Sequence, residues 1–310
     1  MIFVPIAPKV QRCGDSSRKT SSVFFKKIST FTRQFFLFLN ISLVKNSLSV
    51  PLLFAVFFTF FYFPGSAFSK VNANDLLNEG KKLFDQRAEG CVGLMAKPEK
   101  INAALVVLEQ AYALGANQEE TGAYLMKCYN YKGRFACPKA SDKKGVFEKG
   151  KNLGETLLKK YPNSASLLYE YICVLGLWGN EIGSLKAGWD GVIGKLRTST
   201  EKLIEVDRTY SGCAGERIMG LMYMRAPYIP LVLTWPDNEE ALGYLEKAVK
   251  CSPNDFGSVF YYAEALHKNK QEVKALEYMK KVLVMTPRKE LYLEDLQFIK
   301  DAEVMLKEWN

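Results

Sequence analysis

A single histidine, His267, stands among the 310 residues, and that scarcity removes much of the chemistry on which hydrolases and metal sites rest. A Ser-His-Asp arrangement would have to run through that one imidazole, and neither Gly-x-Ser-x-Gly nor His-Glu-x-x-His occurs. Zinc-type cysteine spacing is missing as well, because Cys128 and Cys137 stand nine apart with no second close pair. No stretch alternates apolar and polar residues between turn signals, so no strand is expected. The chain reads as a non-enzyme without metal or cofactor.

Two glycine-bearing stretches imitate phosphate sites without completing one. Gly145-Val146-Phe147-Glu148-Lys149-Gly150-Lys151 matches most of a phosphate-binding loop, but Asn152 stands where Ser or Thr would hold magnesium and no apolar strand precedes it. It reads as the start of a helix. Gly188, Gly191 and Gly194-Lys195 read as a tight connector entering the helix of Leu196.

The basic excess is local. Of 42 basic and 33 acidic residues, eight basic ones and Asp15 alone precede Lys70, which leaves the remainder two charges from neutrality. That gives no electrostatic case for nucleic acid. The basic leader runs into the apolar stretch 50–63 and then Pro64-Gly65-Ser66-Ala67-Phe68-Ser69. Positive segment, apolar stretch, helix-breaking pair and the small residues Ala67 and Ser69 describe an export signal cleaved before Lys70. The rival is an anchor to the inner membrane through uncleaved 50–63; a span needs about 18 apolar residues, and this run is shorter. Residues 1–43 are long for such a signal, and translation from Val44 would leave an ordinary short one. The expectation is a leader over 1–69 and one helical-repeat domain over 70–310, exported to a bacterial periplasm.

What the chain does have is a period. Pro253 and Pro287 stand 34 residues apart, and the residues between them fit one tetratricopeptide repeat. With Phe256 at position 1, Ala263 falls on position 8, Leu266 on 11, Ala275 on 20, Met279 on 24 and Val282 on 27. Two antiparallel helices approach closely only where side chains are small, which puts the crossing at Ala263 and Ala275. One hairpin cannot bury its apolar face alone, so further copies are required. They lie upstream, at Gly220 with Ala241 and Leu245, at Ile172 with Leu196 and Leu203, at Met126 with Leu157, and at Gly80 with Ala104 and Leu108.

In these copies the link between the two helices is nine to twelve residues longer than the standard repeat allows. The expected fold is therefore all-α, a tetratricopeptide-like solenoid of five hairpins with long internal connectors. The pairs are placed at about 74–88 with 99–115, 119–133 with 143–161, 164–178 with 190–208, 213–225 with 238–251, and 255–269 with 271–286. A capping helix over 289–308 would cover the last repeat and present a polar back.

Six cysteines remain after the leader, and six allow 15 pairings. Cys213 opens the first helix of the fourth pair and Cys251 closes its second, which brings both to one end of the hairpin. A second bridge would join Cys137 to Cys91 or Cys128. Cys173, between Ile172 and Val174, reads as a buried thiol.

The run Gly220-Leu221-Met222-Tyr223-Met224-Arg225-Ala226-Pro227-Tyr228-Ile229-Pro230, then Asp237, Ala241-Leu242, Leu245-Glu246-Lys247-Ala248-Val249 and Ala263-Glu264-Ala265-Leu266, resembles the tetratricopeptide T component of tripartite ATP-independent periplasmic (TRAP) transporters. Two departures stand out: Trp235-Pro236 precedes Asp237 where a glycine pair is expected, and the lipid-acceptor cysteine of some members is missing. The resemblance implies a periplasmic helper that docks a solute-binding protein and holds small hydrophobic ligands in a central pore.

In such repeats the first helices line the concave face. Here that face would carry Phe84; Lys127 and Tyr131; Tyr169; Arg217, Leu221 and Arg225; and Phe260, Glu264 and His267. Mixed aromatic and basic residues suit an extended peptide or an acidic patch on a partner. The expected function is an exported scaffold for protein-protein interaction, accessory to a TRAP-type transporter. The alternative is a carrier of small hydrophobic ligands.

Overall fold

The computed structural model describes residues 72–226 and 236–309; the leader, its export signal and most of the Ala226–Asn238 connector lie outside them. Twelve helices occupy the described residues: α1 (Ala73–Asp85), α2 (Pro98–Ala113), α3 (Gln118–Phe135), α4 (Ala140–Lys160), α5 (Ala165–Ile182), α6 (Ser184–Trp189), α7 (Val192–Val206), α8 (Tyr210–Arg225), α9 (Asn238–Cys251), α10 (Phe256–Lys268), α11 (Glu272–Val284) and α12 (Tyr292–Trp309), the last after a 3-10 turn at Lys289–Leu291. No strand forms among the described residues; Val92 and Met95 make one isolated antiparallel bridge. No described helix is long and apolar enough to cross a membrane.

Helix starts are set by side chains that accept the free N–H groups of the first turn. Asn72, Asn117, Ser164, Asp237 and Asp255 cap α1, α3, α5, α9 and α10 in this way. The Asp237 cap takes two donors, Glu239 N at 2.7 Å and Glu240 N at 3.0 Å. α2 instead opens on Pro98, whose missing N–H costs nothing at that position.

The helices pair as the period requires: α1 with α2, α3 with α4, α5 with α7, α8 with α9 and α10 with α11. Small residues mark the crossings, with Ala263 and Ala275 both fully buried. At Gly220 a Cβ would lie 2.6 Å from Leu245 Cγ and 3.0 Å from the Ala241 carbonyl oxygen, so no side chain fits there.

The extra residues within the upstream hairpins are absorbed in different ways. In the first they form the bridged connector 86–97. The second lengthens its helices to 18 and 21 residues and leaves only 136–139 between them. In the third, the six-residue α6 is inserted. The phosphate-loop look-alike 145–151 falls inside α4, as its lack of a preceding strand suggested.

Cys213 and Cys251 are disulfide-bonded. The second expected bridge is not formed: Cys91, Cys128 and Cys137 are free thiols, as is Cys173. The reason is that 136–139 is too short to be a loop that seeks a partner. Cys128 points into the apolar core among α2 and α3, while Cys137 turns its Sγ to the Lys139 carbonyl at 3.3 Å. At the Cys213 end of the bridge, Ser211, Gly212 and Cys213 take left-handed backbone, φ 49°, 67° and 57°. Regular helix in α8 therefore starts only at Ala214.

The capping helix departs most from expectation. α12 packs on α11 and α10 as a cap would, but it also reaches the first repeat. Leu293 is fully buried in the cluster built by Leu77, Ile101, Leu105 and Tyr131. The expected polar back is not uniformly polar-out, because Asp295 and Asp301 are both fully buried.

Candidate inner-face binding site

The inner face is formed by α1, α3, α5, α8 and α10, and α12 lies against much of it. Around α8 and α10 the expected partner-binding residues are engaged within the chain. Arg217 Nη1 donates to Asp255 Oδ2 at 2.9 Å and to Ser258 Oγ at 3.3 Å. Arg225 grips Glu264 with two N–H groups, Nε at 3.2 Å and Nη2 closer still. Leu221 and Phe260 are buried; the Phe260 ring meets Phe298 of α12 with centroids 5.5 Å apart. His267 stacks on Trp309 at 4.1 Å and bonds through Nδ1 to Glu272. This half of the face is closed by the chain's own last helix.

Two charged fasteners hold α12 there. Arg288 donates through Nη2 to Asp295 Oδ1 at 2.6 Å and through Nη1 to Asp255 Oδ1 at 3.1 Å. Burial pushes the Asp255 carboxyl up, but Arg217, the Ser258 N–H and Arg288 outweigh it and hold the group below its usual range. At the other end Arg87, between α1 and α2, donates to the Glu290 carbonyl and meets Glu294 at 3.4 Å. Among the described residues Asp301 has no such cation at bonding distance; Gln297 Nε2 donates to its Oδ1 at 2.8 Å and Oδ2 has no partner there. Burial pushes that carboxyl up to about 7.

Around α1, α3 and α5 the face is less covered. Phe84 sets its edge against Tyr124 at 5.9 Å and Tyr131 at 6.5 Å. Tyr131 is buried, with its hydroxyl donating to the Arg87 carbonyl at 3.2 Å. Lys127 lies over the Tyr124 ring at 4.7 Å, and Tyr169 packs on Tyr210 at 5.7 Å. Two adjoining cavities, of about 360 Å³ and 280 Å³, open between these residues and α12 and share Asn130, Arg134, Tyr169 and Cys173 in their walls.

The structure thus brings Phe84, Lys127, Tyr131 and Tyr169 to one cavity and places Arg217 and Leu221 on the neighbouring one. Arg225, Phe260, Glu264 and His267 border neither. Sequence reasoning missed Arg134 and Glu170. Arg134 follows Lys127 by seven residues, two helical turns, on one face of α3; Glu170 follows Tyr169, so a periodicity of apolar residues passes over it. Among the described residues no group of His, Cys, Asp or Glu could hold a metal ion.

With this geometry in hand, the comparisons locate the architecture. A tetratricopeptide-repeat family profile matches residues 244–277, from α9 across α10 into α11. Among solved structures, a thermophilic TPR protein of Thermus thermophilus matches at 16% identity over 76% of this chain and 99% of its own, with a TM-score of 0.51. Yeast Tom70 aligns at 15% identity over 76% of this chain and 41% of its own, but with a TM-score of 0.46 that supports no argument. A search of curated proteins finds no significant match. The described residues form an all-helical solenoid of tetratricopeptide type.

Proposed function

We propose that the chain is an exported scaffold that docks a protein partner and acts as an accessory component of a TRAP-type periplasmic transporter. The observation that carries the docking reading is on α3. Lys127 and Arg134 border the inner-face cavity without a carboxylate at ion-pair distance among the described residues, beside the rings of Phe84, Tyr124 and Tyr169. Unpaired cations among aromatic rings match an acidic patch on a partner, which they steer and orient. The basic leader with its apolar run and the Cys213–Cys251 bridge both suit an oxidising compartment outside the cytosol. A solute-binding protein with an acidic face is the partner that this reading names.

The test is titration of a periplasmic solute-binding protein of a TRAP-type transporter into the purified scaffold, at low and high salt. Binding that weakens with salt and falls at least tenfold in a Lys127→Glu/Arg134→Glu variant supports the reading. Unchanged affinity in that variant refutes docking on this face. The alternative, a carrier of small hydrophobic ligands, needs an apolar pore. The cavities between α12 and the inner helices are bordered instead by Arg87, Lys127, Arg134, Glu170 and Arg217, which favours a charged occupant.

A further inference from the structure

Glu170 is 4% exposed and borders the 360 Å³ cavity, yet it has no hydrogen bond or ion pair among the described residues. A buried carboxyl without a partner is expensive to keep, and burial pushes it up to about 7 while Lys127 and Arg87 pull it back. Arg87, on the same wall, turns Nη1 to the Phe84 carbonyl and Nη2 to Glu290 and Glu294, makes no bond to Glu170, and leaves its buried Nε without a partner among the described residues. Across the same cavity stand Lys127 and Arg134, two cations equally short of a carboxylate. On α3 their Cα atoms are separated by about 10 Å along the helix axis. The three unmet charges are thus of both signs, and the rings of Phe84, Tyr124 and Tyr210 stand beside them. At about 30 Å³ per water molecule the space equals roughly a dozen such molecules, the scale of a small metabolite.

We infer that this cavity is a binding site for a small zwitterion of the α-amino acid class with a flat apolar side chain. Its carboxylate meets Lys127 and Arg134, its ammonium meets Glu170, and its side chain lies against the rings. A purely anionic ligand would leave Glu170 unmet and a purely cationic one would leave both cations unmet. The site goes beyond the docking reading and does not need it, since ligand uptake is a property of the isolated chain.

Three probes that share a phenyl ring separate the terms: L-phenylalanine, 3-phenylpropionate without the ammonium, and phenethylamine without the carboxylate. Calorimetric titration into the purified protein is expected to show L-phenylalanine bound at least tenfold more tightly than either truncated probe, because a buried group left unpaired rejects its ligand. Glu170→Gln should weaken L-phenylalanine at least tenfold and leave 3-phenylpropionate unchanged. Lys127→Met with Arg134→Met should weaken both acids. Circular dichroism of each variant confirms that the helices persist. The inference is overturned if L-phenylalanine does not bind at millimolar concentration, if the three probes bind alike, or if Glu170→Gln raises the melting temperature without changing affinity. Loss of the docked partner alone, with probe binding intact, would sink the scaffold reading and spare this one.

Discussion

Breaking the Cys213–Cys251 bridge tests the link between compartment and stability. Cys251 is exposed and Cys213 is buried, so Cys251→Ser removes the cross-link without opening a hole in the core. The bridge closes a loop with a sequence separation of 38, and loop-closure entropy over that length is about 4 kcal/mol. Ser211 and Cys213 hold left-handed backbone in the same turn, at about 1 kcal/mol each. If the cross-link alone enforces that turn, its loss returns about 2 kcal/mol, so the net destabilisation falls between about 2 and 4 kcal/mol. Unfolding entropy near 2.1 cal/mol/K per residue, over the roughly 230 described residues, converts this to a drop in melting temperature of about 4–8 °C. Thermal unfolding followed by circular dichroism, with and without dithiothreitol, is the assay. Reduction should lower the wild-type midpoint to that of Cys251→Ser and leave the variant where it was. A wild-type shift under about 2 °C, or an equal shift in the variant, refutes the entropic account.

Arg288→Ala leaves Asp295, fully buried, without its guanidinium, and an uncompensated buried charge of that kind costs about 3 kcal/mol; a urea-midpoint loss below about 1 kcal/mol would contradict the fastener role. Asp301, raised to about 7, favours folding in its protonated form, so its contribution is complete below the unfolded carboxyl range near 4 and is lost as pH rises through 7. Asp301→Asn should therefore flatten the pH dependence of stability between pH 5 and 8 and gain most at the alkaline end, up to about 4 kcal/mol; an unchanged pH profile argues against a buried charge there. Glycine separates packing from propensity: Gly220→Ala meets Leu245 Cγ at 2.6 Å and should cost about 1–3 kcal/mol, whereas Gly243→Ala in α9 meets nothing within 4 Å and should gain up to about 1 kcal/mol. Denaturant titration of both variants checks the opposite signs.

The hairpins were legible because their determinants are local. Small residues at matching repeat positions, such as Ala263 with Ala275 and Gly220 with Ala241, form a pattern that a single pass along the chain detects, and α9 falls at its expected bounds. The Cys213–Cys251 pairing followed from hairpin geometry alone. What escaped is carried by contacts between distant residues. Nothing near Leu293 in sequence signals that it will pack against Leu77 and Ile101, and nothing near Arg87 signals Glu290 and Glu294. For that reason the inner face was read as open where α12 closes it over Phe260 and His267. The second disulfide failed for a related reason: helix extension in α3 and α4 consumed the connector on which that pairing rested.

The hold of Arg87 on the residues that lead into α12 has an outcome for the order of assembly. In a linear array each unit leans only on its neighbours, so the unit synthesised first can settle while later ones are still being made. Here the earliest unit draws its buried Leu293 and its carboxylate from a segment that arrives about 200 residues later. Maturation waits for the carboxyl terminus to emerge, and a chain cut short before Lys289 would leave its beginning, as well as its end, unfinished.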